Sequence, residues 1–388
     1  MTTLLRGGSI LTEKDGLIPG DLLIKDGLIA AMGEKLPLDG EVLDITGLTV
    51  VPGLIDTHNH GCMGTEFAAA DERFDSGLQY LAESGITTVV PTIRCLPHER
   101  LLKAIGNVKR EMDRKPLGAK IGGINMEGPF LSPNRIGSMR PENLAKPEKG
   151  ALLEYIAACE GALRTITMAP EVEGVLPLVE TVLKHGANPS IGHTNATYAQ
   201  AKAMADAGAT LTTHLFNAMS GFTHREPGAV GEALTDDRLT CELICDYVHN
   251  TPAAVELAIR SKGVDKIVMI SDTGVMSGLG DGEYIVEGHR RIVKGNLCKT
   301  PEGVIAGSVC NLFYDFKNLL QHGYALADVS RMASLNPARV IGMEHLTGSI
   351  AIGKAADLIL LDEEFDLKGV FVDGKRIRQF NEKGKAER

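Results

Sequence analysis

From about residue 50 to residue 345, short apolar runs rich in β-branched residues alternate with stretches of helical pattern. Such runs are typical of strands that are buried on both faces. Eight of them are predicted as strands: residues 48–51, 87–90, 120–125, 165–168, 189–192, 210–213, 241–245 and 266–270. Helices are predicted between most of them, at residues 73–84, 99–112, 176–185, 198–208 and 252–260. These units predict an α/β fold, a (β/α)8 TIM barrel; a doubly wound open sheet is the alternative, because a strand count does not prove closure.

The two ends of the chain have a different texture, in which short alternating strands are joined by tight turns such as Asp26-Gly27. Neither end is long enough to form a hydrophobic core alone. We therefore predict that residues 1–50 and 346–388 fold together as a small β-sandwich domain, beside a barrel domain of residues 51–345. The Gly-rich stretch 277–305 is predicted as a hairpin insertion after the last barrel strand, and residues 381–388 as a frayed end.

Composition and charge argue against some functions, among them binding to nucleic acid and to membranes. The chain has 388 residues, 44% of them apolar, and a formal net charge of −10, which argues against nucleic acid as a partner. No apolar run is long enough to span a bilayer and no basic-then-apolar leader is present, so we predict a cytoplasmic protein that does not bind membranes. The seven cysteines form no C-x-x-C pair and fit reduced thiols; Cys62 stands out because it follows His60 by two residues.

Histidines and carboxylates follow the predicted barrel strands. His58 and His60 are two apart, so their side chains point to the same side of a strand and can bind one ion together. A single histidine at a strand end is usually structural, but the carboxyl ends of parallel strands meet at one face of a barrel. Imidazoles and carboxylates gathered there predict a Zn²⁺ or Fe²⁺ site. The residues that gather are His58, His60, Glu127, His193, His214, His249 and Asp272.

Several motifs carry a family resemblance. Residues 51–60 (Val-Pro-Gly-Leu-Ile-Asp-Thr-His-Asn-His) and 353–361 resemble the amidohydrolase superfamily. Residues 126–133 (Met-Glu-Gly-Pro-Phe-Leu-Ser-Pro), 213–219 and 224–228 resemble, more narrowly, the N-acetylglucosamine-6-phosphate deacetylase family. The resemblance implies that Glu127, His193 and His214 are the primary metal ligands, with Glu127 where other superfamily members commonly use a carboxylated lysine. It also implies that His58 and His60 form a second metal position, so that one or two divalent ions bind.

The same resemblance implies the remaining roles. Asp272 matches the catalytic aspartate and His249 a histidine that contacts the substrate. Asn217, Ala218 (through its backbone) and Arg225 match the residues that bind the phosphate, assisted by His224. The implied reaction is hydrolysis of N-acetyl-D-glucosamine 6-phosphate to D-glucosamine 6-phosphate and acetate, in a homodimer whose Arg225 reaches the neighbouring subunit's site.

Other interpretations stay open at this point. The same chemistry on N-acetylgalactosamine 6-phosphate or another N-acyl amino sugar is the nearest alternative, followed by a cyclic-amide hydrolase and by a scaffold without activity. The chain also departs from the family pattern: Tyr247 stands where relatives usually have glycine, and Glu66 where aspartate is common. The bulky ring of Tyr247 is expected to reshape the sugar pocket.

Overall fold

The computed structural model describes residues 2–37, 40–286, 289–303 and 307–378, and the predicted frayed end lies outside these ranges. The strands are β1 (Thr2–Thr12), β2 (Gly16–Lys25), β3 (Leu28–Gly33), β4 (Glu41–Asp44), β5 (Thr49–Pro52), β6 (Leu54–Asn59), β7 (Gly61–Cys62), β8 (Thr65–Glu66), β9 (Ile86–Arg94), β10 (Lys120–Ile121), β11 (Ile124–Glu127), β12 (Leu163–Met168), β13 (Asn188–Ile191), β14 (Leu211–Thr212), β15 (Thr240–Ile244), β16 (Ile267–Ile270), β17 (Gly282–Val286), β18 (His289–Lys294), β19 (Leu297–Lys299), β20 (Leu358–Leu361), β21 (Leu367–Val372) and β22 (Lys375–Arg378). The helices are α1 (Asp75–Glu83), α2 (His98–Arg114), α3 (Lys149–Ala158), α4 (Leu176–Lys184), α5 (Tyr198–Asp206), α6 (Gly228–Thr235), α7 (Pro252–Lys262), α8 (Leu312–Gln321), α9 (Leu326–Ser330) and α10 (Asn336–Val340). Within the described ranges, no helix is long and apolar enough to cross a membrane.

Eight parallel strands form a barrel in chain order: β6, β9, β11, β12, β13, β14, β15 and β16. The short strand β10 also pairs with β9, just ahead of β11. Backbone hydrogen bonds join the last strand to the first at their carboxyl ends: the N–H of Asp272 donates to the carbonyl of His58 (2.9 Å), and the N–H of His60 to that of Thr273 (2.8 Å). These bonds confirm the barrel and exclude the open doubly wound sheet.

The first barrel strand is not the one predicted. Residues 48–51 were expected to begin the barrel, but β5 pairs with β1 and β20 in the sheet of the chain ends, and β6 is the first barrel strand. Both strands are apolar and buried, so hydrophobicity does not tell them apart. Between them, Gly53 approaches strand β9 so closely that a Cβ would lie 2.3 Å from the side chain of Thr87. Pro52-Gly53 therefore marks the crossing from one sheet to the other.

Both chain ends build one mixed sheet, as predicted. Its strand order is β22-β21-β20-β5-β1-β2-β3, with β4 paired to β1. Side chains from both ends, among them Leu5, Ile24, Val50, Leu358 and Phe371, form a buried apolar cluster of their own. This arrangement is that of a small sandwich domain beside the barrel. Its boundaries at residues 50 and 346 stay a prediction.

The insertion after the barrel is larger than the predicted hairpin. Within residues 277–303, β17, β18 and β19 form an antiparallel sheet of three strands. Tyr284 and Val293 pack with Met276 in a small apolar cluster under this sheet. The sequence pattern showed the turns but not how many strands they separate.

We expect Asp357→Asn to lower the free energy of unfolding by about 2 kcal/mol, the value of hydrogen bonds to a charged group, since Lys120 keeps a second partner in Asp373 Oδ1 (2.7 Å). Asp357 is buried, and one of its oxygens accepts from Lys120 Nζ (2.6 Å) on β10 and from Thr347 Oγ1 (2.7 Å). An amide nitrogen at that position cannot accept either bond. Urea unfolding measures the loss, with Asp366→Asn, at an exposed pair with Lys317, as the control. Equal losses in the two variants would contradict the prediction.

Candidate metal centre and active site

Three side chains meet at the carboxyl end of the barrel. Glu127 is the last residue of β11, and His193 and His214 lie just beyond β13 and β14. Glu127 Oε1 lies 2.8 Å from His193 Nε2 and 3.0 Å from His214 Nε2, and the two ring nitrogens are 3.0 Å apart. All three residues are at least 95% buried. Parallel strands thus deliver the predicted primary ligands to one point.

The other ring nitrogen of each histidine determines what this point can bind. His193 Nδ1 lies 2.7 Å from the carbonyl oxygen of Arg135, and His214 Nδ1 lies 3.2 Å from that of Asn217. A carbonyl only accepts hydrogen bonds, so both Nδ1 atoms carry a proton, which leaves Nε2 of each ring as the atom that can coordinate a cation. Two deprotonated Nε2 atoms and a carboxylate oxygen within 3.0 Å of one another would repel unless a cation lay among them. The residues therefore fit a divalent metal ion.

A second group of ligands adjoins the first. His60 Nε2 lies 3.3 Å from Glu127 Oε2 and 3.2 Å from Asp272 Oδ1, and His58 Nε2 lies 3.5 Å from Glu127 Oε1 and 3.6 Å from Asp272 Oδ1. Glu127 thus presents one oxygen to His193 and His214 and the other to His60. The ligand atoms lie within 4.8 Å of one another in each of three groups: Glu127, His193 and His214; His58, His60 and Glu127; and His58, His214 and Asp272. This geometry suits a bridged pair of ions as well as one ion.

The charges of the site are set by their neighbours. Burial opposes the ionisation of Asp272, but the imidazoles of His58 and His60 outweigh it and lower the pKa of Asp272 to about 2. Burial also disfavours protonation of His60, but the carboxylates of Glu127 and Asp272 outweigh it and raise its pKa to about 9. The pKa of Glu127 is lowered well below its usual value, because His193 and His60 outweigh burial. The carboxylates are therefore ionised at neutral pH, and a bound cation would displace protons from the imidazoles.

The backbone at the strand ends is strained. Several non-glycine residues there have a positive φ, a conformation that costs about 1–2 kcal/mol for each residue. They are His193 (47°), His214 (31°), Phe216 (77°), Ala218 (49°), Tyr247 (59°) and Asp272 (50°). Strain of this kind persists where the surrounding structure fixes the conformation, and it gathers at functional sites. Here it turns the ligand side chains from the strand direction into the mouth of the barrel.

His249 is held by Asp246, three residues before it. Asp246 Oδ1 accepts from the backbone N–H groups of Val248 and His249 (2.8 Å each), and its Oδ2 accepts from His249 Nδ1–H (2.7 Å). Burial opposes protonation of His249, but the Asp246 carboxylate outweighs it and raises the pKa of the imidazole. The Nε2–H of a protonated His249 is then free to donate to a substrate oxygen.

The residues predicted to bind phosphate fall in two places. Asn217 and Ala218 are half-buried on the loop that follows His214, at the rim of the metal centre. His224 and Arg225 are exposed on the loop before α6. Within the described ranges, neither side chain makes a hydrogen bond or an ion pair. The structure thus places the first two at the site and leaves Arg225 exposed to solvent.

The family departures have structural explanations. The ring of Tyr247 packs against His322 just beyond α8, with centroids 4.5 Å apart, so its contact is with the helix layer rather than with the metal ligands. Glu66 forms an ion pair with Arg94 at the end of β9 (2.8 Å). Cys62 is fully buried and its Sγ lies 3.4 Å from the carbonyl oxygen of Gly77. These contacts give no support to a reshaped sugar pocket or to a thiol ligand.

Sequence reasoning missed two residues of the site. Glu242, in the middle of β15, contacts His58 Nδ1 (3.1 Å), and the carbonyl of Arg135 holds His193. Glu242 carried a usable signal, since a single charged residue in an otherwise apolar strand is rarely buried without a function. Arg135 carried none, because it acts through its backbone.

Comparisons with known proteins agree with this geometry. The amidohydrolase family profile matches residues 49–377. The N-acetylgalactosamine-6-phosphate deacetylase of Escherichia coli O157:H7 is 33% identical over 97% of this chain and 99% of its own length, and the N-acetylglucosamine-6-phosphate deacetylase of Bacillus subtilis is 31% identical over 94% of each. A mutant of the N-acetyl-D-glucosamine-6-phosphate deacetylase of Mycobacterium smegmatis, solved in complex with N-acetyl-D-glucosamine-6-phosphate, superposes with a TM-score of 0.90 at 32% identity, over 98% of this chain and 99% of that one.

Proposed function

The chain belongs to the amidohydrolase family, and we propose that it hydrolyses the acetamido group of N-acetyl-D-glucosamine 6-phosphate, giving D-glucosamine 6-phosphate and acetate. The observation that carries the proposal is the convergence of Glu127 Oε1 with the Nε2 atoms of His193 and His214, beside the ionised Asp272. A cation site with an adjacent base is what hydrolysis of an unactivated amide requires. A scaffold without activity would have no reason to keep a half-buried, charged Asp272 beside two imidazoles.

Each residue of the site has a separate role in the proposed reaction. Glu127, His193 and His214 would hold a divalent ion, which would supply the Lewis acidity that makes water nucleophilic at neutral pH. Asp272 accepts the proton of that water while the new C–O bond forms, and returns it to the amine nitrogen as the C–N bond breaks. His249 donates a hydrogen bond from Nε2 to the oxygen that becomes negative. Asp246 favours the protonated form of His249 and orients its ring for this step.

The metal is zinc or iron, held through nitrogen and oxygen ligands that suit both. His58 and His60 would complete a second position that shares Glu127 with the first. We therefore propose a binuclear site, in which the first position alone has both imidazoles fixed by backbone carbonyls. Seven buried, unpaired cysteines suit a reducing compartment, which supports the prediction of a cytoplasmic enzyme.

Arg225 serves the substrate phosphate from a second copy of the chain. Its loop is exposed and carries Phe222, which is 58% exposed and available to pack against a second copy. A guanidinium suits a phosphate because it can donate two parallel hydrogen bonds. With Asn217 and the backbone of Ala218 supplied by the chain itself, this arrangement makes the enzyme a homodimer.

Arg225→Ala should lower kcat/KM for the phosphorylated sugar by about 10–100-fold, the value of a charge-assisted hydrogen bond. The rate with N-acetylglucosamine, which has no phosphate, should be unchanged. Steady-state acetate release from both sugars measures the difference, and Arg238→Ala, a surface arginine paired with Asp236, is the control. An equal loss on both sugars would remove Arg225 from phosphate binding.

The epimer at the 4-position is the alternative that a specific observation favours, because the relative from Escherichia coli O157:H7 bears the galactosamine name. Acetate release should be compared for the 6-phosphates of N-acetylglucosamine and N-acetylgalactosamine and for both free sugars. Faster turnover of N-acetylglucosamine 6-phosphate supports the proposal. Faster turnover of N-acetylgalactosamine 6-phosphate would identify that sugar as the substrate instead. Turnover of neither by metal-loaded protein would overturn the proposed function.

A further inference from the structure

Glu242 is an acidic residue inside the barrel wall, and the proposed reaction assigns it no role. It is the middle residue of β15, its neighbours Cys241 and Leu243 are fully buried, and it is itself only 1% exposed. Its Oε2 lies 3.1 Å from His58 Nδ1, and within the described residues its Oε1 has no hydrogen-bond partner.

Structural stability does not account for this carboxylate. A buried charge with one polar contact gains less than it loses on leaving water, and an apolar residue of similar size would be as stable or more so. The single contact must therefore matter in itself. It is directed at an imidazole whose other nitrogen faces the metal centre, 3.5 Å from Glu127 Oε1 and 3.6 Å from Asp272 Oδ1.

The contact fixes the tautomer of His58. Because the carboxylate accepts, His58 Nδ1 carries a proton, which leaves Nε2 as the atom that can coordinate an ion. Without Glu242, the proton is free to move to Nε2 and donate to Glu127 or Asp272, where it would occupy the place of an ion. His60 gives no compensation, since its Nδ1 has no partner among the described residues.

The first metal position does not depend on Glu242. His193 and His214 are fixed by the backbone carbonyls of Arg135 and Asn217, which no side-chain substitution removes. The two positions therefore differ in what holds their imidazoles: main chain in one, a single buried carboxylate in the other.

We propose that Glu242 is a positioning residue for the second metal position. By accepting a hydrogen bond from His58 Nδ1–H, it directs His58 Nε2 at the ion and so raises the affinity of that position for metal. This inference rests on the proposed metal-dependent function and adds to it the group that decides between one ion and two. Glu242→Leu, which removes the acceptor, should weaken the second ion by about 10–100-fold, the usual effect of losing an outer partner of a metal ligand, and leave the first unchanged.

The test measures metal content rather than activity. Full-length protein is loaded with Zn²⁺, dialysed against graded chelator and analysed for zinc per chain. The parent and Glu232→Gln, a carboxylate buried to the same 1% on α6 outside the site, should release two ions in two steps. Glu242→Leu should lose the weaker ion early and keep the tighter one, whereas Glu242→Gln, whose amide oxygen can still accept from His58 Nδ1–H, should hold the weaker ion better than Glu242→Leu does.

A double substitution checks that Glu242 acts through His58. His58→Asn should weaken the second ion, and adding Glu242→Leu to it should cause no further loss. Equal weakening of both ions, unchanged binding of both, or additive losses in the double variant would overturn the inference. A parent that holds one ion would overturn it too, whereas acetate release by that protein would leave the proposed function standing.

Discussion

Asp272→Asn should lower kcat by about 10³-fold, within the range that a positioned general base supplies. The carboxylate lies 3.2 Å from His60 Nε2, and its imidazole neighbours lower its pKa to about 2, so it is ready to accept a proton at neutral pH. The amide of asparagine has the same shape but cannot accept a proton. Acetate release under saturating substrate measures the loss.

This result has meaning only if the metal stays in place. Because Glu127, His193 and His214 form the first position without Asp272, zinc at that position should remain in the variant. Asp237→Asn, at an exposed aspartate, is the matched control and should keep the parental kcat. Parental activity in Asp272→Asn, or a loss explained by missing metal at the first position, would end the assignment of Asp272 as the base.

Glu127→Gln should abolish turnover by removing the metal itself. Both oxygens of Glu127 take part in the centre, Oε1 beside His193 and His214 and Oε2 beside His60, so one substitution weakens both positions. The loss of affinity should exceed the ~10–100-fold that follows from changes to outer partners of metal ligands. Zinc per chain after dialysis, measured beside kcat, should fall below one.

The matched control is Glu232→Gln, which changes an equally buried carboxylate on α6. It should keep the metal and the activity of the parent. Partial recovery of Glu127→Gln activity in excess zinc would fit a weakened site. Full metal content in a protein without activity would mean that Glu127 acts on the substrate instead of binding the ion.

Much of the barrel could be predicted because each parallel strand is a continuous apolar run that ends at a polar residue. The same regularity predicted candidate site residues. They end or follow such runs: His58, Glu127, His193, His214 and Asp272. It failed at residues 48–51, where two successive buried strands belong to different sheets and hydrophobicity is the same in both. Sequence alone does not show which partner a strand pairs with.

What the sequence left out depends on contacts between distant parts of the chain. Glu242 and His58 are 184 residues apart, and Arg135 holds His193 through a carbonyl that every residue has. The effect of Tyr247 was predicted from its size, but its ring packs against His322 in the helix layer. Side-chain direction at a strand end with positive φ follows from the loop geometry, which a pattern of residue types does not contain.

Titration of metal-free protein with zinc, read as acetate released from N-acetyl-D-glucosamine 6-phosphate, tests the central claim most directly. Metal-free protein should have no measurable turnover, and activity should rise with added zinc and level off at one or two ions per chain. The same titration of Glu127→Gln should stay near the baseline. Full activity in protein shown to hold no metal would contradict the account of this site.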